Sequence, residues 1–350
     1  MSVNHMSDKQ VANARKWGDH RKGIVLPEPE EYFGIKPIRV QMLAFKHQLT
    51  DAFPIQFSRE DWKVIDWKDR GKYKSEYFLQ VNVEKPGNIN EDGEVKDPAY
   101  EYIRQSGRPY LVCELSAFRE NSYKSKNPDD WYYTLGWYHF LRQGYFNNNN
   151  CPEDRWETIR KAQKLKLKDW RTGKGDYALI CLQKVNDSTL LPMHETHGKY
   201  RHWLITVINQ IRNLYPKMPI RIRPHLRTKE SSYKKIVGEI YDVELSPNWE
   251  NRSFYEGGKG LQNDLNQAKF VVSYNSNLLT QSVMQGIPSI CWDIRSMASP
   301  MCLDPSQMHD LSLTYQIDRK KHLYNLAYTQ WTRAEIRDGD AWDHLKKYGF

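Results

Sequence analysis

The sequence predicts an α/β protein whose second half is a parallel, doubly wound sheet, on three observations. Residues 270–292 read as one β-α-β unit. An apolar, β-branched run at Phe270, Val271 and Val272 leads to a polar turn at Asn275, Ser276 and Asn277, and apolar positions follow at Leu279, Val283 and Met284. Gly286 supplies a helix stop, Pro288 blocks continuation, and residues 289–292 form a second buried strand. Short apolar runs alternate with helical patterns over the stretch that ends with this unit, which indicates parallel strands joined by crossovers. Finally, 350 residues exceed the usual size of one core, so two domains are expected.

In chain order, residues 1–30 lack periodicity and contain Pro27 and Pro29, which predicts an irregular N-terminal arm. Strand patterns follow at residues 38–43, 62–67 and 77–83, with a turn-rich surface loop at 87–97. Residues 100–106 read as a short helix, Gly107, Arg108 and Pro109 as a turn, and residues 110–114 as an apolar strand ending on Glu114. A carboxylate at the carboxyl end of a buried strand stands at the mouth of a crevice in an open α/β sheet. Glu114 is therefore a candidate general base; a capping or ion-paired Glu is its plainer role, and Arg119 follows closely enough to pair with it. Residues 131–146 hold nine aromatic rings counting His139, more than one helix face buries. The excess predicts a stacking surface with Trp137, Tyr138, Arg142 and Arg119 as acceptor contacts and His139 as the second candidate base. Residues 155–170 pattern as a helix with a basic face.

Residues 171–175 read as the linker. The expected division is the arm at 1–30, a first domain at 31–172, a second at 173–325, and a C-terminal helix at 326–350 packing back on the first. In the second domain, strands fall at 177–182, 220–225 and 243–246, and helices at 200–214 and 261–268. The first of these strands ends in Gln183 and a polar loop to Ser188, and the next delivers Arg223 and His225 to its carboxyl end. Asn275, Ser276 and Asn277 open a helix, whose free N–H groups and dipole favour anions. Capping alone is the plainer role of Ser276 or Asn277. Near the end, Thr332 and Glu335 have capping-box spacing, with Ile336, Trp342 and Leu345 on one face of the helix they open.

The formal charge of +9 with 13% aromatic residues suits a polyanionic partner such as DNA. No apolar run approaches the roughly 18 residues that span a bilayer, and residues 1–22 carry no leader pattern, so a cytosolic protein without membrane contact is expected. Five scattered cysteines with no Cys-x-x-Cys pair argue against a disulfide framework or a structural zinc site. Asp338-Gly339-Asp340 matches an Asp-x-Asp metal motif by letters but falls in the terminal capped helix, so no metal is expected.

These pieces resemble GT-B glycosyltransferases, specifically the group related to capsule-polysaccharide sugar transferases. In that group a Gln-Asp-Ser-type loop, a Lys/Arg-Pro-His-Pro motif and an Asn-Ser-x-x-x-x-Glu-Ala helix build the donor site. The counterparts here are Gln183 with Asp187-Ser188, Arg223-Pro224-His225, and Asn275-Ser276 with Gln281-Ser282 before Gly286-Ile287-Pro288. Two positions depart from the pattern: the acidic residue tied to ribose is Gln281, and the second proline is Leu226. Arg155-Trp156, residues 168–171, 327–332 and 341–345 are similar to bacteriophage glycosyltransferases, several of which are thought to decorate hydroxymethylated DNA bases.

The resemblance implies two Rossmann-like doubly wound domains facing a cleft, with the C-terminal helix crossing back to the first. It implies a UDP-sugar donor, UDP-glucose or similar, as co-substrate, with no resident cofactor and no metal. Gln183, Ser188, Arg223, His225, Asn275, Ser276, Asn277 and Gln281 are its donor residues. The acceptor it leads one to expect is a hydroxymethylated pyrimidine such as 5-hydroxymethylcytosine in phage DNA, and the expected enzyme is a monomer in the host cytoplasm. Three rivals remain: a transferase acting on a surface polysaccharide, a nucleotide-sugar epimerase on the same fold, and a non-catalytic nucleic-acid-binding protein.

Overall fold

The computed structural model describes residues 37–49, 53, 55–81, 98–118, 122, 125–171, 173–184, 187, 189–190, 197–225, 230–238, 240, 242–247 and 258–348. The arm at 1–30, the loop at 87–97, Arg119 and Ser188 lie outside the described residues. The chain forms two compact units, one of Met1–Glu157 with Tyr324–Phe350 and one of Thr158–Leu323.

The first unit opens with β1 (Ile38–Phe45), β2 (Trp62–Ile65), β3 (Tyr73–Val81), α1 (Pro98–Gln105), β4 (Tyr110–Leu115) and β5 (Tyr132–Trp137). β2, β1, β3 and β4 are parallel neighbours in that order, and β5 runs antiparallel to β4. The reversal follows from the connection. Parallel pairing needs a long crossover, usually a helix, and the only regular element described between β4 and β5 is the 3-10 turn Pro128–Asp130.

The second unit follows α2 (Asp154–Ala162), which straddles the division between the units, so the boundary falls earlier than the expected linker. It contains β6 (Tyr177–Cys181), α3 (His197–Leu214), β7 (Ile220–Arg223), α4 (Glu230–Val237), β8 (Glu244–Leu245), α5 (Gly258–Gln267), β9 (Ala268–Ser273), α6 (Leu278–Met284) and β10 (Ser289–Cys291). The sheet order is β10-β9-β6-β7-β8 with every pair parallel. This is the doubly wound Rossmann order, in which the winding reverses between the first and fourth strands, here β6 and β9. Both faces of these strands are covered, so Ala178, Leu179, Ile180, Phe270, Val271 and Val272 are all buried. On one face, α3 lays down Tyr200, Trp203, Leu204, Val207, Ile208 and Ile211, a helical stripe whose larger aliphatic members contribute about 1.5–3 kcal/mol each by burial.

The expected linker is part of the second unit rather than a free tether. The Arg171 guanidinium donates to the carbonyls of Leu265, Asn266 and Ala268 at the end of α5, where the last helical carbonyls lack partners. The backbone at 168–171 lies along the end of α6, with Lys168 N–H donating to Met284 O (2.8 Å) and Arg171 N–H to Gly286 O (2.8 Å). Gly286 has φ 75°, and a Cβ there would collide with the Asp169 carbonyl, so the strap and the turn both require glycine.

α7 (Arg319–Ala327) carries the chain back to β11 (Gln330–Thr332), which pairs antiparallel with β5 and completes the first sheet as β11-β5-β4-β3-β1-β2. The expected capping box opens α8 (Arg333–Asp338), Gly339 ends it in the left-handed region, and α9 (Asp340–Leu345) follows. Arg155 grips this segment. Its guanidinium makes paired bonds of 2.8 Å to both Glu335 oxygens and lies 3.8 Å above the Trp331 ring.

Residues 131–146 therefore do not form a helix with spare rings. All six residues of β5 are buried, and Tyr133, Leu135 and Trp137 join Trp62, Trp331 and Trp342 in one core. Phe140 and Phe146 are buried as well, while Trp131, Tyr138 and Tyr145 are partly buried and pack against that core. A strand covered on both faces absorbs more rings than one helix face, so five of the nine rings, Tyr132, Tyr133, Trp137, Phe140 and Phe146, are spent on the core, and Trp131, Tyr138, His139 and Tyr145 keep partial exposure.

Candidate functional site

The second unit gathers its motif residues by register. Cys181 pairs with Ser273, and Ser273 with Cys291, so the three form a row across β6, β9 and β10. Two residues further along each chain, on the same side by the period of an extended strand, stand Gln183, Asn275 and Asp293. They are buried and joined. Gln183 Nε2 donates to Asn275 Oδ1 (2.6 Å) and Asn275 N–H donates to Gln183 Oε1 (3.1 Å), which adds one side-chain rung to the β6–β9 ladder. Asn275 Nδ2 donates to Thr189 O (2.8 Å) and to Asp293 Oδ2 (2.9 Å). Every polar group of the Asn275 side chain is thus consumed inside the protein.

The row rests on an aromatic floor. The Tyr200 hydroxyl accepts from Gln183 N–H at 2.8 Å, and the Trp203 ring stacks on Tyr200 and meets Tyr274 and Trp292 edge-on. In this low-dielectric setting each satisfied hydrogen bond is stronger than in water, so the row is rigid. It lies at the carboxyl edge where the winding reverses, the position at which open α/β sheets bind ligands.

Ser276, Asn277 and Gln281 are half-buried, the first two directly after Asn275 and the third within α6. Ser276 is the capping residue: its Oγ accepts from Leu278 N–H (3.2 Å) and its carbonyl accepts from Leu279 N–H (3.0 Å). Asn277 already has helical dihedrals, and its side chain makes no capping bond.

Arg223 departs from expectation. It is 8% exposed and ion-paired with Asp264 of α5, whose carboxylate also accepts from Ser246 Oγ at 2.5 Å. Since Arg223 pairs with Cys181, it stands one rung below the row, and its charge is met by the fully buried Asp264 rather than turned outward. His225, two residues on, continues the Gln183 row across β7 and is half-buried.

In the first unit the antiparallel turn separates the expected partners. Glu114 lies within β4 opposite Thr134, half-buried, its Oε1 accepting from Leu115 N–H at 2.7 Å. It is at the carboxyl edge of the parallel strands. Trp137 pairs with Leu111 and Tyr138 N–H donates to Tyr110 O (3.0 Å), so Tyr138, His139 and Arg142 follow at the amino edge. At about 3.3 Å per residue the two base candidates are on the order of 15 Å apart. His139 therefore does not share a site with Glu114; its ring stacks on Phe140 and its Nδ1 accepts from Leu141 N–H (2.9 Å). Trp137 is a core residue, 1% exposed, with its indole N–H donating to Leu345 O (3.1 Å), and offers an acceptor nothing.

Thiol chemistry finds no support here. Burial pushes the Cys181 thiol up to about 12 and, together with Asp154, the Cys151 thiol up to about 11, and it raises Cys113 and Cys302 as well. Among the described residues no group of three or more His, Cys, Asp or Glu is arranged to hold a metal ion, and no helix is long and apolar enough to cross a membrane.

Sequence reasoning missed Asp293, Arg295 and Asp264. The first had a signal: counting two residues beyond each strand end, as for Gln183 and Asn275, also reaches Asp293. Asp264 had none, because its partner is distant in sequence and only α5 packing joins them.

No protein-family model and no curated protein matches the sequence. Among solved structures, the chain is similar to the Thermosulfurimonas dismutans KpsC β Kdo 2,4 transferase at 11% identity and TM-score 0.45, over 83% of this chain and 89% of that one. It is similar to the β Kdo 2,7 transferase of the same KpsC at 12% identity and TM-score 0.39, over 88% and 100% of the two chains. The S. aureus MnaA–UDP co-structure matches at 10% identity and TM-score 0.30, over 89% and 96%.

Proposed function

We propose that this protein is a metal-independent GT-B glycosyltransferase that binds a nucleotide-sugar, a UDP-sugar such as UDP-glucose, at the carboxyl edge of β6, β9 and β10. The observation that carries the reading is the buried row of Gln183, Asn275 and Asp293 at the winding reversal, with the Ser276 turn beside it. The motif resemblance over roughly residues 175–300 supplies the choice of a sugar nucleotide over other ligands of such edges.

In the reaction proposed, an acceptor hydroxyl attacks the anomeric carbon, the bond from that carbon to the diphosphate oxygen breaks, and the nucleoside diphosphate leaves. N–H and hydroxyl donors at the second unit's edge meet the charge that grows on the leaving oxygen. For inversion of configuration the hydroxyl proton needs a base, and Glu114, at the carboxyl edge of the first sheet, is that residue.

The basic charge of +9 supports hydroxymethylated DNA as the acceptor, read through phosphate contacts. The burial of Tyr132, Tyr133, Trp137, Phe140 and Phe146 favours the second reading, a polysaccharide hydroxyl, because these rings are spent on the core and do not receive an extruded base. The test is to incubate the protein with labelled nucleotide sugars in EDTA, offering hydroxymethylated DNA, plain DNA and capsule-type polysaccharide in parallel. Label in hydroxymethylated DNA, lost as salt rises, supports the first reading, and label in polysaccharide the second. Inversion of the free sugar nucleotide with no acceptor transfer would make the protein an epimerase.

A further inference from the structure

We propose that Arg295, aimed by Asp293, is the residue that contacts the diphosphate of the bound nucleotide, and that Asn275 is a positioning residue that never touches it. This rests on the nucleotide site proposed above. The Asp293 carboxylate accepts from Arg295 N–H (3.0 Å), from Arg295 Nε (2.9 and 2.8 Å) and from Arg295 Nη2 (2.5 Å), while its Oδ2 also takes the Asn275 amide. That carboxylate is saturated. The guanidinium is not, because Asp293 and a bond to the Tyr274 hydroxyl engage only part of its donor fork.

Position supports the assignment. Arg295 follows the row by two residues on the loop after β10, at the carboxyl edge of the sheet and one strand from the winding reversal, and its side chain keeps 17% of its surface open. The loop is fixed: Asp293 N–H donates to Tyr274 O (2.8 Å), Ser296 N–H to Asp293 O (3.0 Å), and Ser299 Oγ to Ile294 O (2.8 Å). It leaves Ile294, the residue before Arg295, 71% exposed. Arg223, the sequence's own candidate, already has its charge neutralised by Asp264. A planar fork held at one side by a carboxylate presents its remaining donors in a geometry that suits phosphate oxygens. The Asn275 amide reaches Arg295 only through Asp293.

The experiment measures binding of UDP, ADP, GDP and CDP, each beside its nucleoside, to the wild-type chain and to Arg295→Gln, Arg295→Lys and Asn275→Asp, with melting temperatures alongside. The tightest diphosphate is expected to weaken at least about tenfold in Arg295→Gln and less in Arg295→Lys, with nucleoside affinity held within about twofold. Asn275→Asp is expected to weaken the diphosphate while Arg295→Gln in that background adds little more, since both act through one guanidinium. If diphosphate and nucleoside weaken together, or neither changes, the Arg295 assignment is overturned while the nucleotide site stands. If the wild-type chain binds no diphosphate, both fall. Should Arg295→Gln fail to fold, Arg295→Lys carries the same comparison.

Discussion

In the sheet of the second unit every strand runs the same way, so each strand's C-terminal residues arrive at one edge, and His225, Gln183, Asn275 and Asp293 stand in a single row. In the first unit, β5 turns back on β4, and residues only a few positions beyond a strand end are sent to the far side of the sheet from Glu114. The difference shows that a parallel sheet concentrates the residues that follow its strands, whereas one antiparallel neighbour divides them. Motif residues spaced along a sequence can be summed into a site only after strand direction is known.

The comparison is most sharply tested at the divided edge. Glu114→Gln should lower sugar transfer by about 10²–10⁴-fold with nucleotide binding intact, and His139→Gln should leave turnover near wild type. The reverse pattern would place the reaction at the amino edge of the first sheet. At the concentrated edge, Arg223→Met should cost about 3–5 kcal/mol in urea unfolding, because it leaves the fully buried Asp264 without its cation. Weaker nucleotide binding with unchanged stability would return Arg223 to the ligand.

A smaller effect is expected at Gly286→Ala, about 1–3 kcal/mol, from the positive φ and the collision with Asp169 O, read as a lower unfolding midpoint. An unchanged midpoint would show that the strap at 168–171 yields.

The smallest effect is a pH dependence in the C-terminal segment of the first unit. Burial holds His344 below its ordinary value of 6.5, and Glu335 lies below its ordinary 4.5 because, although burial raises it, the bonds and charge of Arg155 outweigh that. Both folded values are depressed, so the unfolded chain binds more protons and each contribution is lost as pH falls: that of His344 from about 6.5 downward, that of Glu335 from about 4.5 downward. Amide exchange in β11 should therefore quicken as pH-corrected conditions move from 7 to about 5.5, and His344→Gln should flatten that step.

Much of the second unit was legible because its strands are buried on both faces and its turns are chemically marked. The run at 270–272, the Asn275 turn and Gly286 each announce a backbone conformation through local physics, as the capping box at Thr332 does in the first unit. The aromatic segment at 131–146 was not legible, since ring content states how much area must be buried but not whether a helix or a two-faced strand buries it.

The amino-acid sequence by itself determined the α/β class, the β-α-β unit and the presence of Gln183 and Asn275 at strand ends, because these depend on interactions among neighbours in the chain. Only the tertiary structure decided that Asn275 is spent on Gln183 and Asp293, that Arg223 belongs to Asp264, and that Glu114 and His139 face opposite edges. Register, strand direction and ion pairing join residues far apart along the chain, and their energies arise only when packing brings the partners together.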